Sequence, residues 1–254
     1  MQNLDRYLNF AKTTAFEAGR LTLGYFGRSI EVDFKKDDSP VTIADRQAEE
    51  LIRSRIEHAF PNHGILGEEF GELEGKGYRW IVDPIDGTKS FMRGVPLYGV
   101  LLALEVEAEV VVGVAYFPAL DEMLYAAKGS GAYLNGRAIQ VSPTASLDRA
   151  ILSCTNIADF AKYGRAEAWQ RLQKACYYSV GWSDAYGHAL VASGRCDIML
   201  DAIMNPWDCA PFAVIVPEAG GYCGSWAGEK TIYASELISS NALLKDAFLK
   251  LIEG

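Results

Sequence analysis

Carboxylates stand in this chain at places where a simply solvated face would not put them. Asp83 and Asp86 fall inside Ile81-Val82-Asp83-Pro84-Ile85-Asp86-Gly87-Thr88, at the end of an apolar stretch. Glu68-Glu69 follow Ile65-Leu66-Gly67, Asp208 follows Trp207, and Asp45 closes Thr42-Ile43-Ala44-Asp45. A carboxylate fixed by Pro84 behind Trp80-Ile81-Val82 is desolvated, which is unfavourable unless positive charge is near. No Lys or Arg stands between Trp80 and Lys89, so a distant basic side chain or a metal ion must meet that charge. Hard divalent cations suit the inventory, because Mg²⁺ takes carboxylate oxygens together with a substrate phosphate. Such ions polarise a phosphoryl oxygen, acidify water and stabilise a leaving oxygen. Gly87 and Thr88 offer backbone N–H groups at a turn, where a phosphate can sit. Metal-dependent phosphate chemistry is what the spacing points to. Plainer roles compete at each position: a helix cap for Asp45, a helix N-terminal residue for Asp208, and a solvated turn for Glu68 and Glu69.

The elements that must carry these residues follow from periodicity. Leu4, Tyr7, Leu8, Ala11, Ala15, Ala18, Leu21 and Tyr25 recur at three- and four-residue steps, which predicts a long amphipathic helix ending at Gly24 and Gly27. Asp37-Asp38-Ser39-Pro40 reads as a polar turn, and Thr42 with Asp45 as a capping box opening a second helix that stops before Pro61. Strands are expected at residues 80–83, 97–105, 110–116, 123–127 and 132–134, with Asn135-Gly136 as a tight hairpin turn. Beyond them, helices are expected at 166–175, 185–193, from Trp207, and at 242–252, with strands at 176–180 and 196–200. Sheet first, then strand and helix in alternation, predicts an α+β or layered α/β chain. It reads as a single unit over 1–254 with halves of about 1–142 and 143–254, divided where Ser, Pro, Thr and Asp cluster at 141–148.

Composition narrows the partners. Half of the 254 residues are apolar and 22% are charged, which excludes a disordered or fibrous chain. The net charge of −9 discourages nucleic acid and anionic membranes, and no apolar run approaches the roughly 20 residues that span a bilayer. A small phosphorylated substrate stays open if metal ions invert the local field. The five cysteines, Cys154, Cys176, Cys196, Cys209 and Cys223, include no C-x-x-C pair and read as buried thiols of a reducing compartment. His58, His63 and His188 have no zinc spacing. Met1 to Arg6 shows no secretory pattern, so a cytoplasmic protein is expected.

Four motifs in one order resemble those of the inositol monophosphatase family. They are Ser39-Pro40-Val41-Thr42 with Asp45, then Gly67-Glu68-Glu69, then residues 80–88 with Phe91, Gly94 and Pro96. The last is Trp207-Asp208-Cys209-Ala210-Pro211 with Glu218-Ala219-Gly220-Gly221. The resemblance implies an α/β/α/β/α sandwich of the inositol monophosphatase/fructose-1,6-bisphosphatase type, and phosphomonoester hydrolysis with two to three Mg²⁺ ions per active site. It implies that Glu68, Asp83 and the Ile85 carbonyl hold a first ion, and Asp83, Asp86 and Asp208 a second. Glu68 would assist a third through water. Thr88 and Asp45 would orient and deprotonate the attacking water, and the Gly87 and Thr88 backbone would bind phosphate. Lithium sensitivity and a possible homodimer are further implications.

Within the family, Lys89-Ser90-Phe91 and the segment 181–188 are similar to the histidinol-phosphatase branch, although Ala185 stands where that branch has Cys. Asp86, Asp184, Asp201 and Arg195 are the residues expected to read the substrate, with Lys36 a weaker candidate beside the metal loop. Histidinol phosphate carries groups that can be cationic, for which Asp184 and Asp201 would be partners. Carboxylates also accept from sugar hydroxyls, so inositol 1-phosphate or a broader set of sugar and nucleotide phosphates is the alternative. A helix cap would equally explain Asp184, and a strand end facing water Asp201. The different-class alternative is a binding or regulatory module that kept the fold without turnover.

Overall fold

The computed structural model describes residues 4–28, 31–35, 40–182 and 184–253. Lys36 and residues 37–39, and Ser183 of the 181–188 segment, lie outside the described residues. In chain order the first part holds α1 (Asp5–Leu23), β1 (Val32–Phe34), β2 (Pro40–Thr42), α2 (Ile43–Ala59), β3 (Gly64–Gly67), β4 (Gly71–Leu73), β5 (Tyr78–Asp86), α3 (Thr88–Met92), β6 (Gly99–Val106), β7 (Glu109–Phe117), β8 (Glu122–Ala127), β9 (Ala132–Leu134) and β10 (Arg137–Ile139). Its eight-stranded sheet runs β10-β9-β8-β7-β6-β5-β3-β4. The hairpin closing at Asn135-Gly136 joins β9 to β10.

Alternation along the central strands makes two cores. Trp80, Val82, Val100, Leu102 and Leu104 face α1 and α2, which answer with Ala11, Ala15, Ala18, Ala48, Ile52 and Ile56. Ile81, Leu101 and Ala103 point to the opposite face. The second part packs there. After a 3-10 turn at Leu147–Arg149 it comprises β11 (Ile151–Cys154), α4 (Ile157–Lys162), α5 (Ala166–Ala175), β12 (Tyr178–Val180), α6 (Asp184–Ala192), β13 (Ile198–Asp201), α7 (Pro206–Cys209), α8 (Phe212–Glu218), β14 (Gly221–Gly224), β15 (Leu237–Asn241) and α9 (Lys245–Glu253). The five-stranded sheet runs β12-β11-β13-β15-β14.

Helices α6 and α8 form the middle layer: Ala185, Ala189, Phe212, Ile215 and Val216 share one core with Ile81 and Leu101 on one side and Leu237 and Cys223 on the other. On the far face of the second sheet, Phe160, Trp169, Leu172 and Phe248 of α4, α5 and α9 cover Leu152, Ile198, Leu200 and Ile238. The result is five layers, α/β/α/β/α. The expected strand at 80–83 is longer, running from Tyr78 to Asp86 with a register shift against β6 between Asp83 and Asp86. The helix expected from Trp207 is two: α7 ends at Cys209, and Pro211 stands between it and α8. Strands β11 and β15 had no sequence expectation. Cys154, Cys196, Cys209 and Cys223 are buried and all five cysteines are free. Among the described residues, no helix is long and apolar enough to cross a membrane.

Candidate active site

The register shift in β5 is the local event that builds the site. Residues three apart on a regular strand face opposite sides; a bulge that adds residues to one strand re-aims side chains. With Asp83 opposite Leu101 and Asp86 opposite Gly99, two β6 steps are met by three β5 steps. Asp83 and Asp86 thereby come together, and Asp208 joins them from α7. One oxygen of each carboxylate lies within 4.8 Å of the others. Asp83 Oδ1 also accepts the Ile85 N–H at 3.0 Å, which ties the bulge to the carboxylate it presents. Asp86 Oδ2 accepts the Ala185 N–H at 2.8 Å, and Asp208 Oδ2 the Asn205 N–H at 2.7 Å.

Burial pushes Asp83 and Asp86 well above the usual carboxylate range, and the neighbouring carboxylates add to it. Asp208 is pushed up to about 7, again first by burial. Three packed, desolvated carboxylates are the electrostatic condition that a hard divalent ion relieves, and an all-oxygen donor set fits Mg²⁺.

Glu68 and Glu69 are held from two sides. Lys35 Nζ donates to Glu68 Oε1 at 2.8 Å and to Glu69 Oε1 at 2.7 Å. Behind them the fully buried Glu49 accepts the Glu69 N–H at 2.7 Å and the Phe70 N–H at 3.2 Å, while Arg53 Nε donates to it at 2.7 Å. A Cβ on Gly67 would overlap the Glu49 carboxylate, 2.6 Å from its Cδ, so a side chain there would displace the group that clamps the turn. Lys35 and Glu49 are positions that sequence reasoning passed over. The apolar-period helix containing Glu49 marked it only as a polar position.

Asp45 does two things with two oxygens. Oδ2 accepts the Thr42 N–H at 2.8 Å, the carboxylate's half of the capping box, and also the Thr42 hydroxyl at 2.5 Å, while Oδ1 faces Thr88 Oγ1 at 3.4 Å. Thr88 Oγ1 also lies 3.1 Å from the Ile85 carbonyl. Burial raises Asp45 to about 6 despite those donors. Gly87, at φ 76°, is the N-cap of α3. A Cβ there would come 3.2 Å from Asp184 Oδ2, so glycine serves both the left-handed turn and the close approach.

A cavity of about 240 Å³ opens over these groups. Glu68, Asp83, Ile85, Asp86, Gly87, Thr88, Asp184, Asp201 and Asp208 all line it, so most of the expected site residues converge. Asp184 is the first residue of α6, with a left-handed φ of 54°, uncommon for a residue with a side chain. Its N–H donates to Thr155 Oγ1 at 2.9 Å, and Ser90 Oγ lies 3.5 Å from its carboxylate. Asp201 does not face water: it is 4% exposed and accepts from Thr155 N at 3.1 Å. Arg195 is not brought to the cavity. It follows the opposite end of α6 from Asp184, about 13 Å of helix away by rise per residue. There it pairs with Glu122 at 2.9 Å and lies over the Tyr186 ring. Asp159, which also lines the cavity, had no sequence expectation.

A profile of the inositol monophosphatase family matches residues 3–253. The histidinol-phosphatase of Chlorobaculum parvum is 49% identical over 237 residues, covering 92% of this chain and 92% of that protein. A fructose-1,6-bisphosphatase/inositol-1-monophosphatase of Thermotoga maritima is 36% identical, covering 98% and 96%. The solved structure of a Thermotoga maritima IMPase superposes with a TM-score of 0.87 at 34% identity, covering 100% of this chain and 97% of that one. With this match along nearly its whole length and a carboxylate cluster suited to a divalent ion, the chain belongs to the inositol monophosphatase family and is a phosphatase.

Proposed function

We propose that the protein is a Mg²⁺-dependent histidinol-phosphatase of histidine biosynthesis, releasing L-histidinol and phosphate in the cytoplasm. The observation that carries this reading is the charge of the cavity wall. Beyond Glu68, Asp83, Asp86 and Asp208, the acidic residues Asp159, Asp184 and Asp201 line it, against Lys89 as the one cationic residue among the described lining residues. Such a wall favours a leaving alcohol that carries positive charge over a polyol that offers only hydroxyls. The 49% identity to a histidinol-phosphatase supports the same substrate. Five unpaired cysteines accord with a reducing compartment.

Asp83, Asp86 and Asp208, with Glu68 and the Ile85 carbonyl, are the ligands we assign to two or three Mg²⁺ ions. When bound, these supply Lewis-acid polarisation of the phosphoryl group and offset its developing charge. The chain's own part is positioning and proton transfer. The Gly87 and Thr88 N–H groups, at the start of a helix where no intrahelical acceptor exists, hold the phosphate oxygens. Thr88 Oγ1 orients the attacking water and passes its proton to Asp45 Oδ1, whose other oxygen is held by Thr42. Asp45 near 6 is a base at neutral pH. Asp86 and Asp184 meet the alcohol.

Phosphate release from L-histidinol phosphate and from inositol 1-phosphate, measured in parallel with Mg²⁺, tests the substrate. A kcat/KM about a hundredfold higher for histidinol phosphate, some 2.7 kcal/mol of discrimination, is expected. The reverse preference would make the protein an inositol phosphatase.

A further inference from the structure

A buried relay of side chains stands behind the cavity wall on the side of the second sheet. His188 on α6 and Ser239 on β15 are fully buried, while Asp201, at the end of β13, reaches the cavity. His188 Nδ1 lies 2.8 Å from Ser239 Oγ, and His188 Nε2 lies 3.1 Å from Asp201 Oδ2. Serine, histidine and aspartate in hydrogen-bonded order resemble a hydrolase triad, but access runs the wrong way for one. Ser239 is sealed, with Cys223 Sγ 3.7 Å from its Oγ, and Asp201 is the member of the three that lines the cavity. A carboxylate only accepts, so Nε2 carries a proton and donates to Asp201, and Nδ1 pairs with the Ser239 hydroxyl. The other oxygen of Asp201 accepts the Thr155 N–H. Two donors fix the plane of the carboxylate and leave lone pairs on both oxygens unspent. The same helix whose imidazole holds Asp201 also donates the Ala185 N–H to Asp86.

We infer that His188, backed by Ser239, is a positioning residue that holds the Asp201 carboxylate as a fixed acceptor for the cationic end of the leaving alcohol. This rests on the phosphatase reading given above and adds to it the device that keeps the specificity wall in place. Without the Nε2–H, Asp201 keeps one anchor and can rotate about its side-chain bonds, so the acceptor is lost while the carboxylate cluster around Asp83 is untouched.

The test compares kcat and KM on L-histidinol phosphate with those on glycerol 2-phosphate, which has no cationic group. His188→Leu is expected to raise KM for L-histidinol phosphate at least about tenfold with kcat within about threefold, and to move KM for glycerol 2-phosphate far less. His188→Gln, whose terminal N–H reaches the place of Nε2, is expected to restore most of that KM. Equal KM changes on both esters, or a His188→Gln protein no better than His188→Leu, would overturn the inference. If His188→Leu does not fold, ¹⁵N-histidine NMR of the wild type decides. An Nε2–H tautomer whose Nε2 resonance moves on saturation with L-histidinol supports the relay, and an Nδ1–H tautomer or an unmoved resonance overturns it. A wild type that hydrolyses neither ester removes the phosphatase reading and the relay's role with it, an outcome distinct from hydrolysis with no KM split.

Discussion

Asp45 and Asp208 each work twice, and in Asp45 the split falls between the two oxygens of one carboxylate. Asp45 caps α2 with Oδ2 and faces Thr88 with Oδ1. Asp208 accepts the Asn205 N–H with one oxygen and belongs to the carboxylate cluster. The cap read from sequence for Asp45 and the helix-start position read for Asp208 are therefore real and do not compete with the chemistry. Thr88→Ala should lower kcat by about 10²-fold or more, the usual scale for a lost proton-transfer group, with Mg²⁺ affinity by calorimetry little changed. Asp184→Ala should raise KM for histidinol phosphate far more than for inositol 1-phosphate; equal rises on both would remove Asp184 as the residue that reads the alcohol. Protonation supplies a third prediction. A carboxyl with a higher pKa folded than unfolded favours the fold fully below its unfolded value, about 4, and that contribution is lost as pH rises through the folded value. Asp208 near 7, with Asp83 and Asp86 raised beside it, places the loss between about pH 4 and neutrality or above. Mg²⁺ binds the deprotonated carboxylates, so the Tm gain on adding it should be larger near pH 8 than near pH 5. A larger gain at the acid end would contradict the assignment. The cluster was legible in the sequence because Asp83, Asp86 and Asp208 each sit in a local pattern. Lys35, Glu49 and His188 were not, because the contacts that give them roles, such as Lys35 with Glu68 and Glu49 with Glu69, cross 33 and 20 residues of chain.

At the scale of elements, the bulge of β5 and the turn after β3 carry the geometry. Pro84 ends the apolar signal of β5 early, which is why the sequence suggests a strand of 80–83 where the fold has Tyr78–Asp86. Helices α1, α2 and α5 were legible because one apolar face repeats every three or four residues. Strands β11 and β15 were not: Ser153, Ser239, Ser240 and Asn241 are buried polar residues, and all but Ser240 find side-chain partners outside their own strand, so neither alternation nor an apolar run marks them. The turn after β3 offers a test of its own. Gly67→Ala sets a methyl against the Glu49 carboxylate that clamps the Glu69 and Phe70 amides. Urea denaturation should show a loss of about 1–3 kcal/mol, the scale of overpacking a close contact, accompanied by weaker Mg²⁺ binding as Glu68 shifts. Unchanged stability and binding would show that the clamp does not set the turn.

Across the whole molecule, the cavity takes Glu68 through Lys89 from the part that builds the eight-stranded sheet and Thr155 through Asp208 from the part that builds the five-stranded one. The α6–α8 layer is packed against both sheets, so Asp86 and Ala185 are held in register across the junction. The acidic balance seen in composition is concentrated at this junction, where a divalent ion inverts its meaning for a phosphorylated substrate. The most direct measurement is the initial rate of phosphate release from L-histidinol phosphate by the wild type and by Asp86→Asn, each with Mg²⁺ and with EDTA. The wild type should turn over only with Mg²⁺, and Asp86→Asn should fall by at least about 10³-fold, roughly 4 kcal/mol of transition-state stabilisation, while keeping its circular dichroism spectrum. Wild-type turnover undiminished by EDTA, or a folded Asp86→Asn protein within tenfold of the wild type, would contradict a metal-dependent hydrolysis centred on Asp83, Asp86 and Asp208.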